Sequence, residues 1–114
     1  MVNMDNINKM CDWERKKAIF ILGVAEELGM DISKYGEIAV NENSGYTYLG
    51  LEDYSFTLYM PIDCDLVKEE INALYSCPID GEETEIQLTK ETTLKDLEDW
   101  ASEQSNKSQE KENN

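Results

Sequence analysis

Three sets of side chains in this 114-residue chain have the types that do chemistry: cysteines at 11, 64 and 77, the acidic stretch Asp63-Cys64-Asp65, and the bases Arg15-Lys16-Lys17. The chain has no His. That removes Ser-His and Cys-His pairs and any imidazole base, and leaves Asp, Glu, Lys and Tyr for proton transfer. Cys64 sits between two aspartates whose charge opposes its thiolate, so it is a poor nucleophile. Three cysteines, none spaced Cys-x-x-Cys and none accompanied by His, argue against a disulfide framework and a structural zinc site. They read as reduced thiols of a cytoplasmic protein. Asp63-Cys64-Asp65 begins like a cation loop, but no Asp or Asn occupies the next alternate position and no Gly follows, so the EF-hand pattern is absent. At most it offers a weak surface contact for Mg²⁺ or Ca²⁺, and no metal site is assigned. Glycines at 23, 29, 36, 45, 50 and 81 fit neither the dinucleotide nor the P-loop fingerprint, so no cofactor is expected. With 25 Asp and Glu among the residues, carboxylate pairs of the glycosidase kind arise by chance. The chain reads as a protein without an enzymatic centre.

Charge narrows the choice further. The chain carries −15, with 10 Lys and Arg, and its acidity lies in the middle: residues 37–103 hold 17 acids and three lysines. Such a chain is repelled by a duplex. Its one basic cluster, Arg15-Lys16-Lys17, stands beside Asp12 and Glu14 on a helix and reads as a solvated face that offsets the acidic sheet, so no direct nucleic-acid contact is expected. The apolar run Ala18 to Ala25 is too short to span a bilayer. Acids on both sides of it also oppose a signal peptide, so it reads as a buried helix segment and no membrane partner is implied.

The elements that would carry these groups follow from periodicity. Between about Met10 and Leu28, Trp13, Phe20, Ile21, Val24, Ala25 and Leu28 recur at three- and four-residue steps, as one face of a helix requires, and Gly29 supplies the stop. The period then changes to 2. Tyr46 to Leu51 alternates, and Tyr54, Phe56, Leu58 and Met60 alternate with Ser55, Thr57, Tyr59 and Pro61, giving strands with one buried face. Thr93, followed by Leu94, Asp96, Leu97, Trp100 and Ala101, predicts a short capped helix. Residues 1–101 therefore form a single α+β domain, an antiparallel sheet of three to five strands covered by an N-terminal and a short C-terminal helix. Residues 102–114 are polar, lack aliphatic side chains, and read as a disordered tail.

Asp80-Gly81 suits a two-residue type I′ turn. That hairpin would pair Ile79 with Glu82, Cys77 with Thr84, Tyr75 with Ile86 and Ala73 with Leu88, and would set Ser76 against Glu85 on the other face. Pro78 would fall at a position where its missing N–H faces away from the partner strand.

Two surfaces emerge as candidates for binding. Glu83 and Glu85 share a strand face about 6.6 Å apart, since a strand rises roughly 3.3 Å per residue. Phosphates on one DNA strand advance about 3.4 Å per nucleotide. With Glu69, Glu70, Asp80 and Glu82 nearby in sequence, such carboxylates present charge at a density that competes for a basic groove. The alternative is a solvated acidic face that keeps a small protein soluble. On the 46–60 hairpin, Leu49, Leu51, Phe56 and Leu58 share one face and Tyr46, Tyr48 and Tyr59 the other. If uncovered, those rings make an interface patch; otherwise they lie partly buried under a loop or helix.

The stretch Asn43-Ser44-Gly45-Tyr46-Thr47-Tyr48-Leu49-Gly50-Leu51-Glu52-Asp53-Tyr54-Ser55-Phe56-Thr57-Leu58-Tyr59-Met60-Pro61 resembles segments of small acidic proteins of phages and other mobile elements, over about residues 20–101. The resemblance implies an inhibitor of host defence of the anti-restriction or anti-CRISPR type, several of which imitate nucleic acid. No site residue is carried over from it. The expected partner is a basic nucleic-acid-binding protein such as a nuclease. The alternative is a general interaction domain that uses the tyrosine face.

Overall fold

The structure, a computed structural model, describes residues 4–33 and 36–113. Helices α1 (Met4–Lys9) and α2 (Asp12–Leu28) precede strands β1 (Gly36–Asn41), β2 (Tyr46–Leu51), β3 (Phe56–Pro61), β4 (Asn72–Ser76) and β5 (Glu83–Gln87), and helix α3 (Leu94–Asn113) follows. The strands form one antiparallel sheet in the order β1-β2-β3-β4-β5, as connections too short for a crossover dictate. The fold is α+β, with five strands.

Helix α2 starts where the Glu14 carboxylate reaches back to the Cys11 N–H at 3.0 Å and to its thiol at 2.9 Å, a capping box with Cys in place of Ser. It stops at Gly29, whose φ of 94° is the left-handed conformation that glycine adopts without steric cost. Its buried stripe is Ala18, Ile21, Val24 and Ala25. Trp13, expected on that stripe, is 41% exposed. The stripe centres on Ala18, Ile21 and Ala25, and at 3.6 residues per turn Trp13 falls on its margin beside the half-buried Phe20. Arg15 is committed elsewhere: its guanidinium donates to the carbonyls of Met10 at 2.8 Å, Ile7 at 3.3 Å and Asn8 at 3.4 Å. It thereby caps the carbonyl end of α1, where the Ile7 carbonyl also accepts the Met10 N–H at 3.1 Å. The basic cluster is thus partly a helix cap rather than wholly a solvated face.

The alternation of β2 and β3 holds. Leu49, Leu51, Phe56, Leu58 and Met60 are buried on the face that packs beneath α2, which contacts β1 and β2. Ile38 of β1, Ala73 and Tyr75 of β4, and Leu97 and Ala101 of α3 complete the core. The loop between β2 and β3 is Glu52 to Ser55, closed by the Tyr54 N–H on the Leu51 carbonyl at 3.1 Å.

The β4–β5 hairpin differs from the expected one. Tyr75 faces Thr84, Ala73 faces Ile86, and Ser76 faces Glu83, a slip of two residues. Gly81 has φ +74°, and no non-glycine residue among those described has positive φ, so Asp80 does not enter the conformation a type I′ turn requires at both positions. Instead the Cys77 carbonyl accepts the Gly81 N–H at 2.9 Å, and the Asp80 carboxylate accepts the Glu82 N–H at 2.9 Å. The loop becomes Pro78 to Gly81, and Pro78 opens it, where a fixed φ is useful and no ladder bond is lost. Because the slip is even, every side chain keeps its face.

Helix α3 begins with the expected cap: the Thr93 N–H donates to Asp96 Oδ2 at 3.0 Å, and the Asp96 N–H donates to Thr93 Oγ1 at 3.2 Å. It is not short. The helix runs on to Asn113 through the residues read as a disordered tail; Asn114 lies outside the described residues. Good helix formers and the i,i+4 pair Lys107–Glu103 at 3.5 Å favour continuation where no apolar stripe demands it.

Candidate protein-binding face

With all the core side chains on one side of the sheet, the other side presents the alternate residues. Register places Tyr48 directly opposite Tyr59 and Leu74 directly opposite Glu85, with Tyr46 and Glu83 at neighbouring rungs. These six side chains line one open concavity of about 220 Å³. Tyr46 meets Tyr59 edge-on, ring centroids 5.4 Å apart, and lies 6.2 Å from Tyr48. The Tyr48 hydroxyl donates to Ser44 Oγ at 3.0 Å, and the Tyr59 hydroxyl donates to Glu85 Oε2. The Tyr48 and Tyr59 rings are thereby held on the sheet with their polar ends fixed. Among the described residues, none that lines the concavity belongs to a helix, and Tyr46 is 38% exposed.

Five residues expected at a binding surface are therefore brought together: Tyr46, Tyr48, Tyr59, Glu83 and Glu85. The sixth, Leu74, is not evident from the tyrosine pattern. Its signal in the sequence is an apolar residue on a strand face otherwise occupied by Asn72 and Ser76. The slip of the β4–β5 hairpin matters here, because it moves Glu85 from Ser76 to Leu74, within reach of Tyr59. Among the described residues, neither Glu83 nor Glu85 is paired with a Lys or Arg.

The other expected acids lie outside this concavity. Asp80 and Glu82 occupy the loop at one end of β5. Glu69 and Glu70 belong to the 3₁₀ turn Lys68–Glu70, which the Gln87 side-chain amide joins by donating to the Glu69 carbonyl at 2.6 Å, so they stand at the other end. Glu69 Oε1 is buried without a hydrogen-bond partner. Of the acids between 37 and 103, Glu37, Glu83 and Glu85 face outward from the sheet; the remainder lie in loops, the 3₁₀ turn and α3. The carboxylates do not carpet one face. Those at 69, 70, 80, 82, 83 and 85 follow the β5 edge and its two ends.

Chemically the concavity suits a cationic side chain. A guanidinium or ammonium group stacks on tyrosine faces and pairs with carboxylates, while its aliphatic stem covers Leu74. A larger and more apolar hollow, about 540 Å³, lies against α2 and includes Ile19, Phe20 and Leu66. Its rim bases are Arg15, already committed to α1, and Lys16.

Titration in the structure is tied to local architecture. Hydrogen bonds from the Cys11 thiol and N–H hold the Glu14 carboxyl below the usual range, and hydrogen bonds from Thr93 do the same for Asp96. Both are capping effects rather than prepared catalytic acids. Burial, helped by Glu70 and more weakly by Asp63, pushes the Cys64 thiol up against the opposing pull of Lys17. The thiolate is disfavoured as expected, with burial the chief cause rather than the flanking aspartates. The three cysteines form no disulfide. Among the described residues, no group of three or more Cys, Asp or Glu is placed to hold a metal ion, and no helix is long and apolar enough to cross a membrane. No family model, curated protein or solved structure matches the chain.

Proposed function

We propose that this protein is a non-enzymatic binding protein that captures a basic nucleic-acid-binding protein in the cytoplasm and competes with nucleic acid for it, as an anti-restriction or anti-CRISPR inhibitor from a mobile element does. The observation that carries the proposal is the meeting of Tyr46, Tyr48 and Tyr59 with Glu83 and Glu85 around one concavity. Nucleic-acid-binding surfaces expose Arg and Lys clusters, and this cradle has the groups that receive them. The acids at 69, 70, 80 and 82 add long-range attraction at both ends of β5, which raises the encounter rate and weakens with salt. In place of a carpet of charge that copies a phosphate row, the mechanism is an aromatic and acidic cradle set in a negative field.

The test is capture at low and high ionic strength, followed by identification of the captured protein and a challenge with duplex DNA. A basic nucleic-acid-binding protein, eluted by salt and displaced by DNA, is expected. The double variant Glu83→Lys with Glu85→Lys abolishes capture while the circular dichroism spectrum stays unchanged. Capture that persists in high salt and survives the charge reversal refutes the proposal. If it is then lost in Tyr46→Ala with Tyr59→Ala, the tyrosine face acts as a general interaction surface, a second reading favoured by the edge-on ring packing of Tyr46 on Tyr59.

A further inference from the structure

The two edges of the sheet are treated differently. At the β1 edge, α1 lies alongside and the Asn6 side-chain amide donates to the Ile38 carbonyl at 3.3 Å. At the β5 edge, all five residues from Glu83 to Gln87 are exposed. The bonds Cys77 N–H to the Glu82 carbonyl, 2.8 Å, and Leu88 N–H to the Ile71 carbonyl, 2.9 Å, together with the register, fix which residues of β5 bond to β4. Thr84 and Ile86 turn their N–H and C=O groups inward to β4; Glu83, Glu85 and Gln87 turn theirs outward. Those outward groups have no intramolecular partner among the described residues. The edge is thus a row of main-chain donors and acceptors, with two carboxylates on its outer face and Ile86, 39% exposed, on the opposite one.

We infer that β5 receives a strand from the partner: an extended antiparallel segment in which Lys or Arg alternates with an apolar residue. Charge complementarity sets the occupant. Residues opposite Glu83 and Glu85 emerge on the outer face and must be basic to match them, and one of these cations reaches the tyrosine cradle through Glu85. The residue opposite Ile86 emerges on the other face and must be apolar to cover it. This rests on the proposed capture of a basic protein and adds how the segment is held, by main-chain bonds as well as by side chains.

The probe is a seven-residue peptide of alternating Lys and Val, in three forms: unmodified, N-methylated on two Lys main-chain nitrogens, and N-methylated on two Val main-chain nitrogens. In the antiparallel arrangement the Lys main-chain N–H groups bond to β5 and the Val ones face away. Methylation on Lys is expected to weaken binding about thirtyfold, from the loss of two hydrogen bonds, and methylation on Val to leave most of the affinity. In the complex, amide exchange slows at Glu83, Glu85 and Gln87. Equal binding of all three peptides, with no protection of those amides, overturns strand addition while leaving the capture of basic segments intact. Failure of the unmodified peptide to bind in low salt overturns both.

Discussion

Thr47 offers a sharp test of the packing beneath the cradle. It sits on the core face of β2, fully buried, with Tyr46 and Tyr48 on either side of it in sequence projecting to the opposite face, and its Oγ1 has no hydrogen-bond partner. A buried hydroxyl without a partner costs about 1–3 kcal/mol relative to one that is satisfied. Valine has the same branched shape and suits a strand at least as well. Thr47→Val removes the stranded oxygen and puts a methyl in its place, and its expected effect is a gain of about 1–2 kcal/mol. For a domain of this size that raises the melting temperature by roughly 4–8 °C. Urea titration followed by circular dichroism should show a higher midpoint at unchanged slope, because the exposed surface on unfolding is the same. Thr47→Ser is the control: it keeps the hydroxyl, drops a buried methyl, and loses about 1 kcal/mol. Destabilisation by Thr47→Val, at unchanged slope, would mean that the hydroxyl is bonded in the folded protein, and would refute its burial without a partner.

Further perturbations test other parts of the fold. Maleimide should label exposed Cys11 first, Cys64 more slowly, and buried Cys77 only on unfolding; because burial and Glu70 raise the Cys64 thiol, its rate–pH profile, measured in Cys11→Ser with Cys77→Ser, should lie at higher pH than that of an exposed thiol, and Glu70→Gln should move it back. Thr93→Ala should lower stability by about 1 kcal/mol through loss of the α3 cap. The Asp96 carboxyl is lower in the folded state than unfolded, so its contribution is present above the ordinary carboxylate range and is lost as pH falls through the folded value; acid unfolding of Asp96→Asn should show a weaker pH dependence there. Gly81→Ala meets no atom within 4 Å of its new Cβ but must hold φ +74°, so it should cost about 1 kcal/mol by backbone strain alone, with Gly81→Asn costing less, both read by urea titration.

The sheet was legible where side-chain pattern and turn chemistry act on adjacent residues. Tyr46 to Leu51 and Phe56 to Met60 alternate with period 2 and emerge as β2 and β3 with the expected faces. The β4–β5 register was not legible because Asp80-Gly81 satisfies two loops, and the choice between them depends on whether Asp80 takes a positive φ or uses its carboxylate on the Glu82 N–H. Nor was the length of α3, since beyond Ala101 nothing apolar marks the chain as helical and local propensity alone extends it. Arg15 is a similar case: its role is to meet the carbonyls of Ile7, Asn8 and Met10, and α1 has too few residues to declare itself by periodicity. The candidate site was half legible. Tyrosines on one strand face and glutamates on another were in the sequence, but their meeting depends on β3, β4 and β5 being neighbours and on the two-residue slip that sets Glu85 beside Leu74.

The side chains on the outer face of β5 also explain how an open edge can be both safe and selective. If two copies of the chain paired antiparallel through β5 about Thr84, Glu83 of each copy would stand directly opposite Glu85 of the other. Like charges at directly opposed positions disfavour the pairing, so the edge resists adding another copy of itself, as unpaired strands in natural sheets must. Those two glutamates reverse their effect when the incoming strand carries Lys or Arg at the opposed positions. Neutralising them with Glu83→Gln and Glu85→Gln should therefore weaken the capture of basic strands and, by the same change, allow the chain to self-associate. Sedimentation of the double variant over a range of protein concentrations measures the second effect. A variant that stays monomeric at every concentration, yet loses the basic peptide, would separate selection from protection and assign the glutamates to selection alone.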